Sequence, residues 1–293
     1  MEPGVVSVGF PDDEQHKGFV SRYAARYGLP WTIVDINRRL FESADIIKYA
    51  RFCLLWNGHQ GATADAALLC RRRGIPVAFY EWGLLPQRST FLCDTQGFCG
   101  DSSLCRPPAW ITDDDMLRLR LARSELQRRF TIEPSLKPLL VMQIENDTQI
   151  LYNTDVRTMQ EFIDDVQERM PGVSFAVRPH PKSKAVRTLP DGWEVDTEPD
   201  FLGRAARSPL VVGLTSTCLI EAAVLGVPVL ALGDHPLARV FGGQRDRVLA
   251  GYLACRLDRD RDDPSMVLER QNVRPLGCGR IIPPMLPHLP KLS

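Results

Sequence analysis

Short apolar runs alternate with stretches of helical spacing through the first half of the chain. Val5-Val6-Ser7-Val8-Gly9-Phe10 predicts a strand, and positions 19–27 predict a helix. Thr32-Ile33-Val34-Asp35 predicts a second strand, and positions 43–49 carry helical spacing. Phe52-Cys53-Leu54-Leu55-Trp56-Asn57-Gly58 predicts a third strand that ends in a turn. Positions 62–73, rich in small residues and arginine, predict a helix before the strand Ile75-Pro76-Val77-Ala78-Phe79-Tyr80. Alternation of this kind specifies an α/β unit, a mostly parallel sheet with helices on its faces.

Between 81 and 108 the periodicity fails and glycine, serine, cysteine and proline dominate. That is too long for an idle connection and predicts a functional loop. A charged helix follows over 113–129, and Glu133-Pro134-Ser135 breaks the chain. The expected domains are therefore 1–134, 135–260 and a proline-rich tail over 261–293. In the second domain, strands are predicted over 138–143, 173–177, 208–213 and 227–232, with helices over 154–170 and 216–225. The tail has many charges and little periodicity, and the expectation is that it packs back on the first domain or is partly disordered.

Composition narrows the class. With 293 residues, 44% apolar and 25% charged, the chain has room for two domains with real cores. Lys+Arg 36 balances Asp+Glu 36, so no nucleic-acid or anionic-membrane partner is expected from charge. No apolar stretch approaches the ~20 residues that span a bilayer. Met1-Glu2-Pro3-Gly4 does not read as the start of an export signal, and the expected location is cytoplasmic. The 8 cysteines form no Cys-x-x-Cys pair, which argues for scattered reduced thiols and against a metal site.

Four segments carry candidate chemistry. Arg178-Pro179-His180-Pro181-Lys182 follows an apolar run, and its prolines stop the strand and hold His180 stiffly beyond the carboxyl end. Ligands sit there in open α/β sheets, and Arg178, His180 and Lys182 suit a phosphate. Gln143-Ile144-Glu145-Asn146-Asp147-Thr148-Gln149 ends another strand with two carboxylates. Asn146-Asp147-Thr148 also fits a plain helix cap, and the residues alone do not choose between cap and chemistry. Thr215-Ser216-Thr217, before the helix that carries Glu221, offers hydroxyls and free N–H groups to a phosphate, or again a simple cap. Tyr80-Glu81-Trp82-Gly83 places a carboxylate after a strand. Gly83 would admit a ligand close to the backbone, and burial beside Trp82 would raise the Glu81 pKa, although the segment by itself reads first as a solvated loop glutamate. No Gly-x-Gly-x-x-Gly follows the first strand, nor is there a Walker lysine motif, which leaves dehydrogenase and P-loop readings without support.

The ordered set Trp56-Asn57-Gly58, Glu81-Trp82-Gly83-Leu84-Leu85, Phe91-Leu92-Cys93-Asp94-Thr95-Gln96-Gly97, Gln143 to Gln149, Arg178 to Pro181 and Thr215-Ser216-Thr217 with Glu221-Ala222 resembles the capsule polysaccharide biosynthesis family of retaining β-Kdo glycosyltransferases. The resemblance covers roughly 53–233; the amino-terminal segment and the tail after Asp258 lie outside it. It implies two Rossmann-like domains in a modified GT-B arrangement with an interdomain cleft and CMP-β-Kdo as donor. The His-Pro element and the hydroxyl-rich helix start are similar to those that bind CMP in bacterial sialyltransferases. Carried over, His180, Ser216 and Thr217 hold the nucleotide phosphate, Asp147 is the nucleophile and Glu81 the general acid/base, with Asp94 or Glu145 next in line. No cofactor and no metal are implied, since CMP is a monophosphate leaving group. The implied partners are a saccharide or lipid-linked acceptor and other polysaccharide assembly enzymes, with peripheral association at the inner membrane. Two other readings stand beside it: a sialyltransferase-like enzyme, and a silent sugar-nucleotide-binding module.

Overall fold

The computed structural model describes residues 4–9, 14–34, 45–58, 61–106, 108–183, 185 and 187–278. Phe10, Asp35, the start of the helix expected over 43–49 and the tail beyond 278 lie outside these residues. The chain forms two compact units, Met1–Ser103 with Ala254–Ser293, and Leu104–Leu253.

In the first unit β1 (Val5–Val8), β2 (Trp31–Val34), β3 (Phe52–Trp56) and β4 (Val77–Trp82) are parallel in the order β2-β1-β3-β4. All of β1 and most of β3 and β4 are buried, which is why they read as apolar runs without alternation. Helices Glu14–Arg26 and Gly61–Arg73 connect them. A fifth strand, β5 (Thr90–Asp94), pairs antiparallel with β4 inside the segment expected to be a functional loop. All five of its residues are buried, so it shows no period-2 pattern and escapes a reading by alternation.

The second unit has β6 (Leu139–Val141), β7 (Ala176–Arg178), β8 (Glu194–Val195), β9 (Val211–Gly213) and β10 (Val229–Ala231). All are parallel, in the order β10-β9-β6-β7-β8. Counted from its own first strand this is 3-2-1-4-5, the doubly wound Rossmann order. Phe162, Ile163 and Val166 of helix Met159–Arg169 pack with Leu140, Phe175, Val177 and Val212 in the core. That helix starts later than expected, because Thr158 and Glu161 form a capping box, and a separate helix, Thr148–Asn153, precedes it.

Helix Asp113–Arg129 matches the sequence expectation in its bounds, but it belongs to the second unit. Arg123 Nε donates to the Val224 carbonyl (3.1 Å) and Gln127 Nε2 to the Leu225 carbonyl (2.8 Å). Both carbonyls belong to the last turn of helix Thr217–Leu225, which needs acceptors' partners where the helix runs out. The unit boundary therefore lies at Ser103/Leu104, not after position 134.

After helix Gln244–Cys255, the strand β11 (Arg256–Asp258) returns to the first unit, antiparallel to β5. The described part of the tail stays there. Glu269 accepts from Arg26 Nε (3.1 Å) and Tyr27 OH (2.8 Å), and Arg51 Nε donates to the Leu276 carbonyl (2.6 Å). Among the described residues no helix is long and apolar enough to cross a membrane.

Candidate functional site

The second unit's strands are parallel, so their carboxyl ends share one edge. Gln143, His180 and Thr215 each stand two residues past their strands β6, β7 and β9, which are neighbours in the sheet. Strand order reverses between β6 and β9, the switch point where such sheets bind ligands. There the Thr215 N–H donates to Gln143 Oε1 (2.9 Å), and Gln143 Nε2 donates to Thr215 Oγ1 (3.1 Å). Both residues are buried, and their polar atoms are committed to each other. They frame the site.

Asp147 caps helix Thr148–Asn153, its Oδ1 accepting from Gln149 N–H (2.9 Å). The cap reading is thus correct, and it occupies one carboxylate oxygen. Oδ2 is not used by the cap. Burial lowers the His180 pKa; the Asp147 charge opposes this and Lys182 adds to the lowering. The His180 Nδ1 accepts from the Lys182 N–H (3.1 Å), so the neutral ring carries its proton on Nε2. Proline on both sides and this bond fix the ring with Nε2–H as a donor.

Ser216 caps the nine-residue helix Thr217–Leu225, with Oγ accepting from Cys218 N–H (3.2 Å). Ser216, Thr217 and Cys218 are half-buried at the helix start, where N–H groups and the helix dipole favour an anion. Burial, then the charge of Glu221 one turn on, pushes the Cys218 thiol up to about 11. A thiol so raised is a poor nucleophile.

Other candidates have different work. Arg178 donates to Asp196 Oδ2 (2.5 Å) and to the Glu198 and Pro199 carbonyls (2.8 and 3.2 Å), so its guanidinium braces the β7–β8 edge, where a phosphate role had been expected. Arg204 completes that knot on Asp196. Glu145 is tied by the Met159 N–H (3.0 Å) and by Arg187 (3.3 Å). Asn146, Pro181 and Lys182 are exposed. Neither Asp196 nor Arg187 carried a sequence signal, because Asp196 meets Arg178 18 positions away and Arg187 meets Glu145 42 positions away.

In the first unit Asn57 and Glu81 stand at the carboxyl ends of the neighbouring strands β3 and β4. Asn57 adopts φ 57° and its N–H bonds the Tyr80 carbonyl (3.0 Å). Glu81 is part of β4, opposite Leu92, and does not follow the strand. Gly83 serves the hairpin, since a Cβ there would meet Thr90 Oγ1 at 2.1 Å; the close approach is β5, not a ligand. Asp94 is sent by antiparallel pairing to a position opposite Phe79. It is buried and accepts from Gln96 N (2.7 Å), Gly97 N (3.3 Å), Ser103 N (3.0 Å), Ser102 Oγ (2.9 Å) and Ser103 Oγ (2.8 Å). Burial raises its pKa even against those donors. Asp94 ties the loop together. Among the described residues no three His, Cys, Asp or Glu side chains gather as a metal requires.

A Rossmann-ordered sheet with a carboxylate and a proton-fixed histidine near its switch point defines a candidate nucleotide-ligand site on an α/β scaffold. The comparisons agree on the scaffold. No protein-family model matches the sequence, and no curated protein matches it. Among solved structures, the chain is similar to Thermosulfurimonas dismutans KpsC, β-Kdo 2,7 transferase, at 18% identity and TM-score 0.62, covering 86% of this chain and 90% of that one. It is also similar to Thermosulfurimonas dismutans KpsC, β-Kdo 2,4 transferase, at 15% identity and TM-score 0.60, with the same coverages of 86% and 90%. The chain has the fold of those transferases.

Proposed function

We propose that the protein is a retaining glycosyltransferase that moves Kdo from CMP-β-Kdo to a saccharide or lipid-linked acceptor in surface-polysaccharide synthesis. The observation that carries this reading is that Asp147 and His180 stand in the loops after the neighbouring strands β6 and β7, beside the switch point, in a fold shared with two β-Kdo transferases. His180 Nε2–H and the N–H groups at the start of helix Thr217–Leu225, with Ser216 and Thr217, receive the CMP phosphate. Asp147 Oδ2 attacks the anomeric carbon, the bond to the phosphate oxygen breaks with its electron pair, and CMP leaves. The acceptor hydroxyl then attacks the same carbon from the opposite side, the ester bond to Asp147 breaks, and the hydroxyl proton passes to a base. Two inversions give net retention. The acid/base role goes to Glu81 on the resemblance.

The test is to incubate the protein with CMP-Kdo without acceptor and follow CMP release and intact mass. One added Kdo, mapped to the peptide containing Asp147, is the expected result. Product of inverted configuration removes the covalent step, and absence of any CMP release with every acceptor tried removes the transferase reading. CMP-neuraminic acid in a parallel reaction separates the Kdo donor from the sialyl donor.

A further inference from the structure

The loop after His180 folds back onto the loop that carries Asp147, and one side chain makes the junction. Arg187, nine-tenths buried, donates through NH2 to Glu145 Oε1 (3.3 Å) and to Ser183 Oγ (3.1 Å), and through NH1 to the Ala185 carbonyl (3.1 Å). Glu145 is itself fixed by the Met159 N–H (3.0 Å). Beside this junction the Gln160 side chain pairs with the backbone of Thr188, accepting from its N–H (3.0 Å) and donating to its carbonyl (3.1 Å). Glu145 precedes Asp147 by two residues, and Ser183 follows His180 by three, with the Ser183 N–H bonded to the His180 carbonyl (2.9 Å). Arg187 thus joins short, tethered arms that end on the two candidate site residues.

We propose that Arg187 is a positioning residue: by bridging Glu145 to Ser183 it sets the separation of Asp147 and His180. Its meaning for catalysis rests on the proposed transfer reaction, whereas the bridge itself does not. The residue type fits the task. Both bridging bonds leave one terminal nitrogen, and the rigid guanidinium plane, held through its other terminal nitrogen by the Ala185 carbonyl, fixes their directions. The donors of a lysine ammonium rotate freely and have no such second hold. A positive charge supplied only for the donor phosphate would be replaceable by lysine. A clamp is not. The contrast with Arg204 is instructive, since that residue binds Asp196, Ser208 and the Lys137 carbonyl and touches neither candidate loop.

The experiment uses the full chain with labelled histidine, assigns the His180 ring through His180→Gln, and titrates it by NMR. CMP affinity is measured by calorimetry and folding by thermal melting, for wild type, Arg187→Ala, Arg187→Lys, Glu145→Ala and the double variant Arg187→Ala/Glu145→Ala. Burial is the main cause holding the His180 pKa down, so loosening the clamp should move it up toward the ordinary imidazole value. Arg187→Ala and Arg187→Lys should both show this shift and weaken CMP binding about ten- to hundredfold. The double variant Arg187→Ala/Glu145→Ala should be no weaker than Arg187→Ala, because both remove the same bridge. Unchanged His180 titration and CMP affinity in Arg187→Ala, with melting alone lowered, overturns the proposal, and so does full recovery by Arg187→Lys. If wild type binds no CMP, the transferase reading fails, and the His180 titration alone decides the clamp.

Discussion

The Gln143 side-chain amide and Thr215 exchange two hydrogen bonds across the point where the second unit's strand order reverses. The pair joins the ends of β6 and β9, and the chain runs on from Gln143 to Asp147 and from Thr215 to the helix start at Ser216. Its polar atoms are buried, so each depends on the other for a partner. Gln143→Leu keeps the bulk but strands the Thr215 N–H, at a cost of about 1–3 kcal/mol. Urea denaturation should show the lowered midpoint with an unchanged slope, and a variant as stable as wild type would mean the pair is dispensable.

Asp147 serves as a cap through Oδ1 and, in the proposed mechanism, as the nucleophile through Oδ2. One substitution separates the two duties. Asparagine caps a helix about as well as aspartate, while its amide is a poor nucleophile. Asp147→Asn should therefore melt like wild type and bind CMP, yet transfer no sugar and form no covalent adduct. Residual transfer at the wild-type rate assigns the nucleophile elsewhere.

Glu81 and Asp94 come from one hairpin and should respond in opposite ways. Asp94→Ala removes the acceptor for five donors and should cost roughly 3 kcal/mol or more. Glu81→Gln keeps size and hydrogen bonding, so the loss of stability should stay at about 1 kcal/mol or less, while turnover drops about 10²–10⁴-fold if it exchanges the proton. Melting curves and turnover of the two variants, measured side by side, decide between these roles.

His235 predicts a pH dependence that belongs to folding rather than to the site. It is buried, its Nδ1 accepts from the Leu237 N–H (3.1 Å), and burial lowers its pKa to about 4. The unfolded chain binds this proton below about pH 6.5 and the folded chain only below about 4, so the stability present above 6.5 is lost as pH falls through that window. The full loss amounts to about 3 kcal/mol at 1.36 kcal/mol per pKa unit. His235→Asn keeps the cap acceptor and removes the titration, and should flatten the stability profile between those values. An equally steep profile in the variant places the pH sensitivity in other groups.

Local chemistry made much of this molecule legible in one dimension. The apolar runs of β1, β3 and β4 and the spacing of helix Asp113–Arg129 follow from burial and from the helical period, which are properties of neighbouring residues. The position of His180 just past β7 follows from two prolines that cannot extend a strand. Tertiary structure decided what depends on residues far apart. It placed β5 beside β4, turned Arg178 toward Asp196, and docked helix Asp113–Arg129 on Val224 and Leu225. It also joined Gln143 to Thr215 and Glu145 to Arg187, 72 and 42 positions apart. A sequence displays which residues can bury, cap or bond, because those tendencies are local. Which partner each one finds is settled by the packing of the whole chain, since a buried donor takes whatever acceptor the folded neighbourhood brings within reach.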